Sequence, residues 1–418
     1  MSEEKEVCPL DGLAFHSTST YELVNEIGRG GMGIVYLAEK LSEGVCDLIV
    51  LKTIKNLSPA YIDMLKKEAN ISTQLRHENI VKTYGLEAVP VELFPENFQE
   101  DLKGLEYNKL RQQPKKVPLV FRRYHGRKKE RPVKVLEKKH NISQQKLYLI
   151  VMDYVEGTDL GNLFRAHRRQ HILLPPILTA FIISRICRAL EYAHKYIIHR
   201  DISPENILVN NHGVAKLSDF GVAVGGKDQL GMLMGKLGYM APEQLLTPVY
   251  DHRVDIFALG VVTYFCLTGI NLFATPLGLS LEEQTDYIRH RHQEKIIPPT
   301  EVMNDIPLVL SNCVMKMLAI DPNNRYQNAG EICDHLEQQY MYAKGFGPTN
   351  NSLQAYIDIF ESKFENYTQK QLRQLRFLEG SDGKLQLRRF ITKSKYTNKG
   401  LELIQKFKGT RLRKILDN

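Results

Sequence analysis

Cysteine is sparse and unpatterned in this chain of 418 residues. The six cysteines, at 8, 46, 187, 266, 313 and 333, include no C-x-x-C pair. That excludes a disulfide-stapled miniprotein and a zinc ribbon, and it reads as reduced thiols serving as small core residues. The acidic start, Met1 to Leu10, has no apolar run of the kind a secretory leader needs. No internal repeat is visible. From Ile256 to Leu281 no residue is charged, which is long enough for a bilayer helix. Gly269, Asn271 and Pro276 interrupt it, and Asp255 reads as a cap before it, so a buried core helix is expected instead. Hydrophobic residues at 43% and charged residues at 25% are ordinary globular values, which exclude wholesale disorder.

What is present is unevenly distributed. The net charge is +8. Between Lys109 and Lys139 there are thirteen Lys or Arg against two Glu, and from Gly345 to Asn418 fifteen against seven acids. The rest of the chain is therefore acidic overall, a globular body carrying two basic extensions. Tyr21 to Lys40 reads as two strands around a glycine cluster, Asp47 to Ile54 as a strand, and Pro59 to Leu75 as a helix. Ile80 to Leu86 and Leu147 to Val155 are β-rich, with a proline-punctuated basic segment between them. Pro176 to His194 and the stretch from Pro242 to about Tyr342 are helical. Early strands followed by helices predict an α+β chain, a small sheet lobe beside a larger helical lobe.

Several motifs carry chemistry. Gly28-Arg29-Gly30-Gly31-Met32-Gly33-Ile34-Val35 fits G-x-G-x-x-G-x-V. The pattern also suits dinucleotide-binding turns, which lead into a helix. Here a strand continues, as in a hairpin laid over phosphates, and glycine lets backbone N–H groups approach phosphate oxygens. Lys52 ends an apolar strand, and Glu68, sixteen residues on, lies in a helical run where the two could pair. Then come His199-Arg200-Asp201-Ile202-Ser203-Pro204-Glu205-Asn206, Asp219-Phe220-Gly221 and Ala241-Pro242-Glu243. They read H-R-D-x-x-x-x-N, D-F-G and A-P-E in order.

On these motifs the sequence resembles the eukaryotic-type (Hanks-type) Ser/Thr protein kinases, in their bacterial branch, from about Tyr21 to Tyr342 apart from the basic segment. The resemblance implies a bilobal protein kinase fold. The parts would be an N-terminal tail at 1–20, an N-lobe at 21–155 with a basic insertion over about 87–146, a C-lobe at 156–345 and a basic helical extension at 346–418. It implies ATP and Mg²⁺ and transfer to Ser or Thr hydroxyls. Asp201 would accept the hydroxyl proton, Asn206 and Asp219 would hold Mg²⁺, and Lys52, fixed by Glu68, would bind phosphates. Ile27, Gly28, Gly30, Gly33, Val35, Val50 and Leu208 would line the nucleotide. Met152 resembles the gatekeeper, Asp153 to Val155 the hinge, and Asp159 the ribose ligand. Asp255 would brace the catalytic loop, and Glu243 and Arg325 would form a buried ion pair.

The pattern is broken in four places. Ser203 stands where the family has lysine, and Lys236 where it has threonine, which suggests that the two positions exchanged roles at the catalytic centre. Val222 to Met240 contains no Ser or Thr, so activity without phosphorylation there is expected, with Asp228 as a fixed anionic partner for Arg200. Val50 replaces a smaller alanine. Two rival functions remain: a pseudokinase scaffold that binds nucleotide, and a nucleic-acid-associated module using the basic insertion. The insertion and tail suit an acidic protein or an anionic surface better than nucleic acid, for want of aromatics. A cytoplasmic protein acting on protein substrates is expected.

Overall fold

The structure is a computed structural model. It describes residues 13–17, 19–30, 33–42, 44–54, 59–90, 134–136, 146–170, 172–220, 236–247, 249–363, 368–375 and 396–406. Most of the expected basic insertion, and Asp228, lie outside these. The chain divides into two compact units, one of residues 1–76 and 81–156, the other of 77–80 and 157–418.

Among the described residues the first unit is a sheet with one helix. Its strands are β1 (Leu13–His16), β2 (Thr20–Gly30), β3 (Gly33–Ser42), β4 (Val45–Ile54), β5 (Thr83–Pro90), β6 (Lys134–Leu136) and β7 (Lys146–Asp153). Helix α1 (Pro59–Ser72) follows β4. The strand order is β5-β7-β4-β3-β2-β1-β6. All neighbours are antiparallel except β1 and β6. Alternation explains the core. Ile34, Tyr36 and Ala38, then Ile49 and Leu51, then Leu147, Leu149 and Val151 recur every second residue and join one buried cluster. Phe15 belongs to the same cluster, with its ring centroid 5.3 Å from that of Tyr21. That contact gives residues 13–16, inside the expected N-terminal tail, a reason to pair as a strand. The expected insertion likewise contributes Lys134–Leu136 to the sheet, and its first residues, 87–90, end β5.

The second unit begins with β8 (Gly157–Asp159), α2 (Leu160–Arg169) and α3 (Pro176–Ala193). A hairpin of β9 (Ile207–Asn210) and β10 (Ala215–Leu217) follows, then α4 (Pro242–Leu246) and α5 (Arg253–Thr268). Next come α6 (Leu281–Gln293), α7 (Pro299–Val302), α8 (Leu308–Met317) and α9 (Ala329–Leu336). Among the described residues three further helices follow: α10 (Asn350–Glu361), α11 (Gln369–Gln374) and α12 (Asn398–Lys406). Helix α5 is buried nearly all round and ends at Gly269, whose φ of 73° is the left-handed C-terminal stop that glycine tolerates. Asp255 does not cap it. The cap position is His252, because the helix starts three residues earlier than the charge pattern suggests. Among the described residues no helix is long and apolar enough to cross a membrane.

The C-terminal extension packs on this unit. Leu353, Tyr356, Ile357, Ile359 and Phe360 of α10 are buried. His167 of α2 is sealed beneath them: Nδ1 lies 2.8 Å from the Leu163 carbonyl, Nε2 lies 3.0 Å from the Tyr356 hydroxyl, and the ring stacks on Phe360 at 3.9 Å. Further on, the Tyr396 hydroxyl donates to the Thr268 carbonyl, and Lys399 pairs with Glu301.

Burial lowers the His167 pKa to about 4. At His292, burial and then the nearby Arg325 charge also lower it to about 4. The unfolded chain protonates both near pH 6.5, while the folded chain resists until about 4. Stability present above pH 6.5 is therefore lost as the pH falls through that window, by about 3 kcal/mol for His167 alone. Urea titrations at steps from pH 7.5 to 4.5 should show the fall. A flat profile would contradict the buried, neutral state of both imidazoles.

Candidate active site

In the first unit, cross-strand register gathers several of the predicted nucleotide contacts. Gly28 faces Val35, Val35 faces Lys52, Leu37 faces Val50, and Val50 faces Met152. Alternation puts Val35, Val50, Lys52 and Met152 on the side of the sheet opposite the Ile34–Tyr36–Ala38 cluster. Lys52 is buried, with 7% of its surface exposed, directly after the apolar run 48–51 of β4. Glu68 lies on α1, but its side chain, and with it the expected pair with Lys52, lies outside the described residues. Asp153 has the other parity. Its carboxylate accepts the Tyr84 hydroxyl at 2.6 Å and its N–H donates to the Lys82 carbonyl.

The glycine segment is a hairpin, paired as Gly30 to Gly33, and it leads into no helix. Its glycines have different physical reasons. A Cβ on Gly33 would sit 1.8 Å from the Thr53 carbonyl oxygen, whereas one on Gly28 would meet only Val35 at 3.7 Å. Thr53 holds the hairpin end, its Oγ1 accepting from the Ile34 N–H at 2.7 Å. Gly33→Ala should thus cost about 1–3 kcal/mol through overpacking, and Gly28→Ala almost nothing. Thermal melting of both variants checks this, and equal melting temperatures would contradict it.

The second unit builds the reactive centre. Asp255 takes three bonds at the foot of the loop: the His199 N–H at 2.8 Å, the Arg200 N–H at 2.7 Å and His194 Nε2 at 2.9 Å. Burial opposes its ionisation, but the His194 bond, the histidine charges and the backbone N–H outweigh that and lower its pKa. These bonds hold Arg200 at a left-handed φ of 67°, unusual for a residue with a side chain. His199 accepts the Asp201 N–H on Nδ1 and donates from Nε2 to the Ser218 carbonyl at 2.8 Å. Its ring meets Phe220 edge-on at 4.7 Å. His199 and Phe220 thus support the loop by packing and hydrogen bonding.

The consequence is a fixed carboxylate. Asp201 is 7% exposed. Asn206 Nδ2 donates to its Oδ2 at 2.9 Å and to its backbone carbonyl at 2.7 Å. Its Oδ1 has no hydrogen-bond partner among the described residues, a buried acceptor waiting for a donor. The Ser218 N–H donates to the Asn206 carbonyl at 2.9 Å, which ties the segment carrying Asp219 to Asn206. Asp219, like Arg200, has a left-handed φ, of 66°. Asp201, Asn206 and Asp219 are thus carried on segments that bond directly to one another.

One predicted residue behaves differently from expectation. Asp159 is the N-terminal cap of α2, and both its carboxylate oxygens are engaged by Asn162, so a ribose would have to compete for them. Leu208 faces Asp159 across β8 and β9. Ser203 and Lys236 do meet: Lys236 Nζ donates to Ser203 Oγ at 2.7 Å. Sequence reasoning missed its second bond, to Glu205 Oε2 at 2.6 Å. Glu205 follows Pro204 in the same motif, so its position was legible and its role as a counter-ion was not.

Residues 124–341 match the family described as "Protein kinase domain". Among curated proteins, a probable serine/threonine-protein kinase of Clostridium perfringens is 30% identical over 76% of this chain and 38% of its own length. The tyrosine-protein kinase MasK of Myxococcus xanthus is 28% identical over 81% of this chain and 46% of its own. The serine/threonine-protein kinase PknB of Mycobacterium leprae is 28% identical over 76% and 42%. The chain spans less than half the length of each of these relatives.

Proposed function

Because this chain belongs to the protein kinase domain family, with relatives among the bacterial Hanks-type kinases, we propose that it transfers the γ-phosphoryl group of ATP to serine or threonine hydroxyls of proteins. The observation that carries the reading is the Asp201 carboxylate, oriented by Asn206 through one oxygen and open at the other. A substrate hydroxyl donating to Oδ1 has its oxygen turned toward an incoming phosphorus. As the new O–P bond forms, the bond from the γ-phosphorus to the bridging oxygen breaks, its electron pair leaves with ADP, and the hydroxyl proton passes to Asp201.

Asn206 and Asp219 would hold Mg²⁺. The fit lies in the donor set: Asn206 spends its N–H₂ on Asp201, which leaves its amide oxygen as an acceptor, and Asp219 adds a carboxylate on a segment tethered to Asn206, hard ligands of the kind this ion takes. Bound there, the ion neutralises charge on the phosphate oxygens. Lys52, Gly28, Gly30 and Gly33 would bind the phosphates, and Val35, Val50, Met152 and the carbonyl of Asp153 would take the base. The absence of Ser and Thr from 222–240 supports activity without phosphorylation of that segment.

The test is incorporation of ³²P from γ-labelled ATP into a generic protein substrate, followed by acid hydrolysis and phosphoamino-acid separation. Phosphoserine or phosphothreonine, formed by the wild-type chain and not by Asp201→Asn, is the expected result. Phosphotyrosine alone would overturn the acceptor class, and label equal in the two proteins would overturn the reaction.

A further inference from the structure

We propose that Lys236 is a catalytic residue, its ammonium stabilising the phosphoryl group as it moves, with Ser203 and Glu205 holding it ready. The proposal rests on the reading of Asp201 as the proton acceptor. Charge is the starting point. The segment His199–Asn206 has one cationic chain, Arg200, on the N-terminal side of Asp201. On the C-terminal side are a hydroxyl, a proline and a carboxylate. Ser203, two residues from the base, is fully buried, and its oxygen is too short-stemmed to carry a donor far. Lys236 brings a cation to that gap from a different part of the chain, immediately before the short turn Leu237–Tyr239.

The geometry is that of a poised group. Nζ has three N–H donors; one goes to Ser203 Oγ at 2.7 Å and one to Glu205 Oε2 at 2.6 Å. The third is available for an incoming oxygen. The side chain is 41% exposed, so a ligand can reach it. Nζ and the Glu205 carboxylate form an ion pair across that 2.6 Å contact. Arg165 lies on the far side of the same carboxylate at 3.9 Å and shares it. Glu205 is therefore a counter-ion with a second cation in reserve, and it can yield part of Lys236 to a more highly charged phosphate. As the hydroxyl oxygen bonds to the γ-phosphorus and ADP departs with the bridging electron pair, negative charge spreads over the peripheral oxygens. A positioned ammonium stabilises that charge more than it stabilises the ground state.

The alternative role is mechanical, a tie fastening residue 236 to the loop. Glutamine separates the two, because its amide still donates to Ser203 and Glu205 but has no charge. Lys236→Gln, Lys236→Met and Lys236→Arg are assayed beside Asp201→Asn, with kcat and the KM for ATP measured separately. Gln and Met should each lower kcat about 10²–10³-fold, the range for loss of one preorganised donor, with KM within about threefold, while Arg should stay within about tenfold of wild type. The proposal is overturned if Gln stays within tenfold of wild type, or if Arg falls as far as Gln. An inactive Asp201→Asn beside an unaffected Lys236→Gln would sink this inference alone and leave the kinase reading intact. Were wild type and Asp201→Asn equally inactive, the reading beneath it would fail instead.

Discussion

Asp201→Asn is expected to lower turnover about 10²–10⁴-fold, the usual worth of a positioned base, while leaving ATP affinity within a few fold. The substitution is nearly isosteric. The asparagine oxygen can still accept the bond from Asn206 Nδ2 that now reaches Oδ2 at 2.9 Å, and the Asp201 N–H can still donate to His199. What changes is the open oxygen. An amide placed there has no proton affinity to offer a hydroxyl, and an amide N–H₂ turned outward would repel the hydroxyl proton. The loss should therefore fall on kcat. A parallel loss of affinity and turnover would mean that the side chain is structural.

Arg325→Met should cost about 3–5 kcal/mol, the largest stability effect expected in the second unit. All the reasons lie within one guanidinium. Its Nη1 and Nη2 take the two Glu243 oxygens at 2.6 and 2.8 Å, and the remaining donors reach the carbonyls of Ala319, Arg253 and Ile320 at 2.7–3.0 Å. Its face lies 4.9 Å from the centre of the Phe257 ring. The Arg325 side chain is 0% exposed. Methionine fills much of the volume but leaves a mostly buried carboxylate and three carbonyls without donors. Lysine should recover only part of the loss, having three donors and no planar fork. Replacing both Glu243 and Arg325 with methionine should cost less than the two single changes added together. Chemical denaturation measures all of these, and single-variant losses under about 1 kcal/mol would contradict the account.

Much of this was legible in the sequence because local chemistry and local structure coincide there. The period-2 runs around Ile34, Ile49 and Leu147 and the helical period of residues 176–193 gave elements close to those observed. The H-R-D, D-F-G and A-P-E motifs named residues that the fold does bring into hydrogen-bonded company, as with His199 and Ser218. The Glu243–Arg325 pair was also foreseen. What escaped depends on long-range partners. β1 exists because Phe15 reaches the sheet core, and nothing near Phe15 in sequence announces that. The His167–Tyr356 bond joins residues 189 positions apart, so nothing local in the tail announced that it packs on α2. Asp159 looked free to bind a sugar because the cap it gives to Asn162 depends on where α2 starts. For Lys236, the sequence suggested the partner Ser203 but gave no sign that Glu205 would share it.

Calorimetric titration of ATP with and without Mg²⁺, in the wild-type chain and in Asp219→Asn, tests the centre of the account most directly. Tight binding that needs the ion in the wild type, and weak binding indifferent to the ion in the variant, is the predicted result. Affinity that ignores both the ion and the Asp219 carboxylate would contradict it.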